Sequence, residues 1–202
     1  MLLADAGITA EVRLHPRSAI STVTLRPRRA GQLGDSWSRF HRDTHHELRV
    51  EGDWVADRRT VAASLSYGPI PQGAQPNSPT GKHRQRLAPD STAKLFSDRQ
   101  RQFVRECGRG GPDSFQHVRL YGPIQVRRWL VKDQWFDVRL ERWSLDAAPA
   151  ALEFMDLSVL VTPEDAALVQ PAFLASTRRR GIDPDAYSGS RTHRLIDLFL
   201  LS

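Results

Sequence analysis

Apolar and charged residues alternate strictly along Phe136-Asp137-Val138-Arg139-Leu140-Glu141, which is the period of a strand with one packed face and one polar face. The same alternation runs through Glu11-Val12-Arg13-Leu14-His15, where a proline then stops it, and through Val23-Thr24-Leu25-Arg26-Pro27-Arg28. It returns in His46-Glu47-Leu48-Arg49-Val50-Glu51, and Thr60 to Tyr67 reads as an apolar, serine-rich strand. In Phe154 to Val161 a largely apolar strand places Asp156 and Ser158 on one face.

Helix signals are fewer. Ser97-Asp98-Arg99-Gln100 is a capping box, and it predicts a helix ending near Gly108 with Phe103, Val104 and Cys107 inward. Thr162-Pro163-Glu164-Asp165 predicts a second helix start, with Thr162 as the cap and proline at the first helical position. That helix should close at Gly181 after three arginines, with Pro171 kinking or dividing it. A last helix is predicted over Thr192 to Leu200, and the proline-rich stretch 68–91 as a mobile loop. Strands and helices do not alternate regularly, which argues against a parallel doubly wound sheet and for an antiparallel α+β fold.

Composition narrows the class. The 202 residues suit a single domain over 1–202, and no apolar run approaches the ~20 residues of a membrane helix. The first residues lack a basic stretch ahead of an apolar one, so a cytoplasmic location is expected. Cys107 is the single cysteine and permits no internal disulfide. Its place on the apolar side of a helix suits a buried small residue. Net charge is +6, and only Lys82, Lys94 and Lys132 among the 29 basic residues are not arginine. A GC-rich genome produces such a bias, and so does selection for a planar fork that grips phosphate.

Several motifs carry no chemistry. His41 and His45 are spaced as helical metal ligands, but their segment is not helical. Pro79-Thr80-Gly81-Lys82-His83 lacks the strand and the hydroxyl residue of a phosphate loop, and no Gly-X-Ser-X-Gly element is present. What remains is the set of charged strand faces. By pattern alone these also describe a solvated sheet decorated with cross-strand ion pairs.

The order and content of the strands resemble the CYTH superfamily, the triphosphate tunnel enzymes that include thiamine triphosphatases, inorganic triphosphatases and class IV adenylyl cyclases. Glu11-Val12-Arg13-Leu14-His15 stands where that family has Glu-X-Glu-X-Lys, and Leu25-Arg26-Pro27-Arg28 where it has Leu-Arg-X-Arg. Glu47-Leu48-Arg49, the helix from Ser97, and the strands around Arg127-Arg128 and Asp137 to Arg142 follow in the family's order. Phe154-Met155-Asp156-Leu157-Ser158 is similar to its closing Phe-X-Glu-X-Glu strand, the helix 163–180 to its penultimate helix, and Ser190-Arg191-Thr192 to a basic motif near its end.

The resemblance implies an antiparallel eight-stranded tunnel flanked by about three helices. It further implies binding of a polyphosphate or organic triphosphate, and metal-assisted hydrolysis where the acids suffice. Carried over residue by residue, the anion contacts are Arg26, Arg28, Arg49, Arg128, Arg139 and Arg191. The ligands for Mg²⁺ or Mn²⁺ are Glu11, Glu141 and Asp156, and no catalytic residue is assigned. The departures are informative: Arg13 replaces the second acid of the first strand, His15 its lysine, and Ser158 the last acid. Losing acids weakens metal binding more than anion binding. Two further readings stay open. One is a non-enzymatic module that binds anions or nucleic acid, the nucleic-acid version being favoured if Trp129, Trp135 and Trp143 lie exposed on a basic strand face, although core or rim packing is the preferred reading of these three; the other is a scaffold with solvated ion pairs.

Overall fold

The computed structural model describes residues 7–15, 18–26, 35–55, 58–70, 84–86, 94–108, 115, 119–121, 124–132, 135–147, 150–184 and 195. It falls into two compact units, one built from 1–54, 58–77 and 85–120, the other from 55–57, 78–84 and 121–202.

The first unit holds β1 (Ile8–His15), β2 (Ser18–Leu25), β3 (His46–Val55) and β4 (Arg58–Tyr67) in one sheet of order β1-β2-β4-β3. In β2 burial alternates residue by residue, with Ala19, Ser21, Val23 and Leu25 inward. On the opposite face Thr22 and Thr24 bond across the ladder to Ser66 and Ser64, at 3.0 and 2.9 Å. This strand is rich in β-branched residues, whose stiff side chains suit a pleated surface.

Helix α1 (Asp98–Cys107) forms as its capping box predicts. Ser97 Oγ accepts from Gln100 N, and the Gln100 side chain accepts from Ser97 N. The helix buries Phe103, Val104 and Gln100. Phe103 meets Phe40, which follows the 3₁₀ turn Asp35–Arg39, edge to face at 5.2 Å. The core around them contains Ile8, Val23, Leu25, Ala63 and Leu65, with Cys107 packed against it.

Gln100 is fully buried and also donates both amide hydrogens, to Ser21 O at 3.1 Å and Leu65 O at 2.9 Å. Its carbonyl accepts from Ser21 Oγ at 3.0 Å and from Ser97 N at 3.1 Å. Every polar site of the amide is therefore used. One residue both caps α1 and ties it to two strands.

Two short strands, β5 (Arg84–Arg86) and β6 (Arg119–Tyr121), pair with each other. The second unit contains β7 (Gln125–Lys132), β8 (Asp137–Ala147) and β9 (Ala150–Val159) as an antiparallel meander, followed by α2 (Ala166–Arg179). Leu145, Phe154 and Leu195 form its buried cluster, with Trp143 stacked on Phe154 at 5.9 Å.

Several expectations change. The α+β class holds, but the strands form a four-stranded sheet, a three-stranded sheet and the small β5–β6 pair, with no closed eight-stranded tunnel among the described residues. Alternation marks a strand with two unlike faces; closure depends on which strands pair, and a single-strand pattern does not carry that information. Two of the three predicted helices run through the described residues; the third, over Thr192 to Leu200, lies outside them except for Leu195, which is helical. Most of 68–91 also lies outside them, apart from Gly68 to Ile70 and β5.

Helix α2 starts later than predicted, at Ala166 with Asp165 at its cap. Thr162 instead closes a turn, donating from Oγ1 to Asp165 Oδ2 and accepting from Asp165 N. Pro171 lies within the helix, and Gly181 ends it in the left-handed region at φ 74°. No helix is long and apolar enough to cross a membrane among the described residues.

Candidate functional site

The register of the second unit sorts its side chains into two faces. On one face Arg128, Glu141 and Asp156 form a single row across β7, β8 and β9, with Leu130, Arg139 and Ser158 in the next row. On the other face Trp129, Leu140 and Leu157 form a row beside Arg127, Arg142 and Met155. The sequence alternation of β8 thus translates directly into sheet faces. Four of the nine predicted site residues, Arg128, Arg139, Glu141 and Asp156, come together here.

Glu141 is 3% exposed, between an exposed Arg128 and a partly buried Asp156. Arg128 donates to its Oε1 from Nη2 at 2.6 Å and from Nε at 2.7 Å, and Trp143 Nε1 donates to Oε2 at 3.2 Å. A carboxylate so buried needs that compensation. Asp156, partly buried, stands directly opposite on β9.

A hard divalent cation requires several oxygen ligands. Both Glu141 oxygens already accept from Arg128 and Trp143. Glu11, in the first unit, is paired with Arg13 at 2.7 Å. Among the described residues no three His, Cys, Asp or Glu side chains cluster as metal ligands do. The donor set does not fit Mg²⁺ or Mn²⁺.

The opposite face carries an open groove of about 880 Å³, lined by Trp129, Leu140, Arg142, Glu153 and Met155 and reached also by Leu130 and Lys132 from the other side of β7. Arg142 donates to Glu153 at 2.5 Å. That hydrogen bond holds the Glu153 carboxyl below its ordinary range and raises the arginine. All eight residues of β7 are exposed, and Trp135 beyond it is 78% exposed. Arg127, Lys132 and Arg139 form no ion pair among the described residues.

The other predicted residues lie apart. Arg26 follows β2, reaching Asp53 at 3.5 Å and Thr9 Oγ1 at 3.4 Å. Its backbone N–H donates to Gly7 O at 2.7 Å. Gly7 has φ +72°, and a Cβ there would stand 2.3 Å from the Arg26 carbonyl oxygen, so glycine is required. Arg49 pairs with Glu47 on its own strand at 3.2 Å and is 61% exposed in its side chain. Exposed pairs of this kind contribute ~0–1 kcal/mol. Arg28 and Arg191 lie outside the described residues.

The sequence pattern did not bring together a second polar cluster, in the first unit. Asp43 accepts from His46 Nδ1 at 3.0 Å, and His46 Nε2 meets Ser97 Oγ at 2.8 Å. The one advance sign was Ser97's capping box, which speaks of a helix and not of a histidine 51 residues away. Cys107, by contrast, has its thiol pushed up to about 11, first by burial and then by Glu106, which keeps it unreactive. Comparison with protein-family models, with curated proteins and with solved structures gave no match to this chain.

Proposed function

We propose that the β7–β9 sheet is a non-enzymatic polyanion-binding surface that takes single-stranded nucleic acid. The observation that carries this reading is the exposure of Trp129 and Trp135 on a sheet that also presents Arg127, Lys132 and Arg139, three cations that form no ion pair among the described residues. Nucleic-acid strands are held by cations that track the phosphates and by aromatic rings on which bases stack, each stack contributing about 1–3 kcal/mol. Trp129 shares its sheet face with Arg127 and lines the groove with Lys132, so a base and its flanking phosphate find partners on one strand. Arg128 and Arg142 serve differently: each is already committed to a glutamate.

Titration of the full chain with oligothymidylate, followed by tryptophan fluorescence, tests the reading. Quenching that weakens with salt is expected, with a slope falling by about 0.7 on Arg127→Ala. Trp129→Ala should weaken binding roughly five- to 100-fold without changing that slope. Tripolyphosphate in a parallel titration separates the two anion classes. Tight tripolyphosphate binding indifferent to Trp129→Ala, with no response to the oligonucleotide, would replace nucleic acid with a polyphosphate ligand.

A further inference from the structure

The geometry points to a serine nucleophile in the first unit, Ser97, served by His46 as general base and Asp43 as its orienting carboxylate, acting on small activated carboxylic esters. The chain of contacts is complete. Asp43 Oδ1 and Oδ2 lie 3.0 and 3.1 Å from His46 Nδ1, and His46 Nε2 lies 2.8 Å from Ser97 Oγ. An ionised carboxylate only accepts, so it fixes the proton of a neutral imidazole on Nδ1. Nε2 is then left as an acceptor, and the hydrogen that lies between it and Ser97 belongs to the hydroxyl. This is the protonation state a nucleophile and its base require.

The surroundings hold each group in place. Asp43 also accepts from the backbone N–H of His45 at 2.8 Å and of His46 at 2.7 Å, and from Arg99 Nη1 at 2.7 Å. The His46 ring stacks on Tyr67 with centroids 5.1 Å apart, and only 12% of its side chain is exposed. Ser97 is partly exposed. Its Oγ accepts from Gln100 N at 3.2 Å, which leaves a second lone pair for attack. The N–H groups of Asp98 and Arg99, in the first turn of α1, have no hydrogen-bond acceptor among the described residues. These free N–H groups are the donors available to an oxyanion developing on a carbon bonded to Ser97, the first being the N–H of the residue after the nucleophile.

The chemistry balances with water as the only co-reactant. Ser97 Oγ bonds to the ester carbonyl carbon while its proton passes to His46 Nε2. The carbon–oxygen bond to the alcohol breaks, and the alcohol leaves with that proton. Water then gives a proton to His46 as its oxygen bonds to the acyl carbon; the acyl–Oγ bond breaks, Ser97 regains the proton, and a carboxylic acid departs.

The test exposes the full chain to a fluorophosphonate probe. Attack forms an Oγ–P bond and expels fluoride, and the adduct is located by mass spectrometry of peptides; p-nitrophenyl acetate hydrolysis is followed in parallel. A single adduct on Ser97 is expected. Ser97→Asp removes the nucleophile but keeps a good helix cap, so it should melt near the parent and lose both labelling and hydrolysis. His46→Gln and Asp43→Asn should each slow labelling about 100-fold or more. No adduct, an adduct on another residue, or unchanged labelling in a folded His46→Gln chain overturns the assignment. None of these outcomes bears on the β7–β9 surface, whose residues lie in the other unit.

Discussion

Arg128 and Glu141 form a pair whose members differ in what they lose on separation. The glutamate side chain is 4% exposed and the arginine 51%. Removing the arginine strands a buried carboxylate, whereas removing the carboxylate leaves an arginine that water can reach. Arg128→Ala is therefore expected to destabilise by about 3 kcal/mol, and Glu141→Gln, whose amide oxygen still accepts from Arg128 or Trp143, by clearly less. Urea unfolding of both variants checks the order. Asp43 makes a second prediction at this scale. The backbone N–H of His45, and after it His46, draw its carboxyl from 3.8 down to about 2. A depressed native pKa stabilises fully above the unfolded value and fades as pH falls through the folded one. The difference in melting temperature between the parent and Asp43→Asn should thus be widest above pH ~4 and close towards pH ~2, as thermal melts across that range would record.

Among the elements, α1 depends on one buried amide. Gln100→Leu keeps most of the volume but leaves the carbonyls of Ser21 and Leu65 and the hydroxyl of Ser21 without their present partner. A cost of about 2–4 kcal/mol is expected, measurable by chemical denaturation. This helix was legible from the sequence because a capping box is a local device, read within four residues. The faces of β8 were legible for the same reason, since period two needs no knowledge of neighbours. The environment of a face was not. Asp137, Arg139 and Glu141 share a face, yet Arg139 is exposed and Glu141 buried. What separates them is the arginine and the indole that reach Glu141, one from another strand. Asp43, His46 and Ser97 met the same obstacle, because only tertiary packing brings α1 to the start of β3.

Across the whole molecule, the pattern along single strands did not carry the architecture. β7 carries Arg127 and Arg128, but nothing in a list of alternating strands says whether they close upon one another. Among the described residues neither of the two larger sheets closes, and sheets that do not close keep outer strands. β7 is such a strand, the first of its three-stranded sheet, with Val126, Trp129, Leu130 and Val131 all at least 42% exposed. Strands of this kind are templates for aggregation unless charges interrupt them. Arg127, Arg128 and Lys132 then act as gatekeepers, whatever else they bind: their charge keeps one chain's strand from adding to another's. Arg127→Val combined with Lys132→Val should leave the fold intact yet raise light scattering on gentle warming, and an added polyanion should accelerate the same process in the parent chain by masking those charges. Solubility and ligand binding would then be two uses of the same few cations.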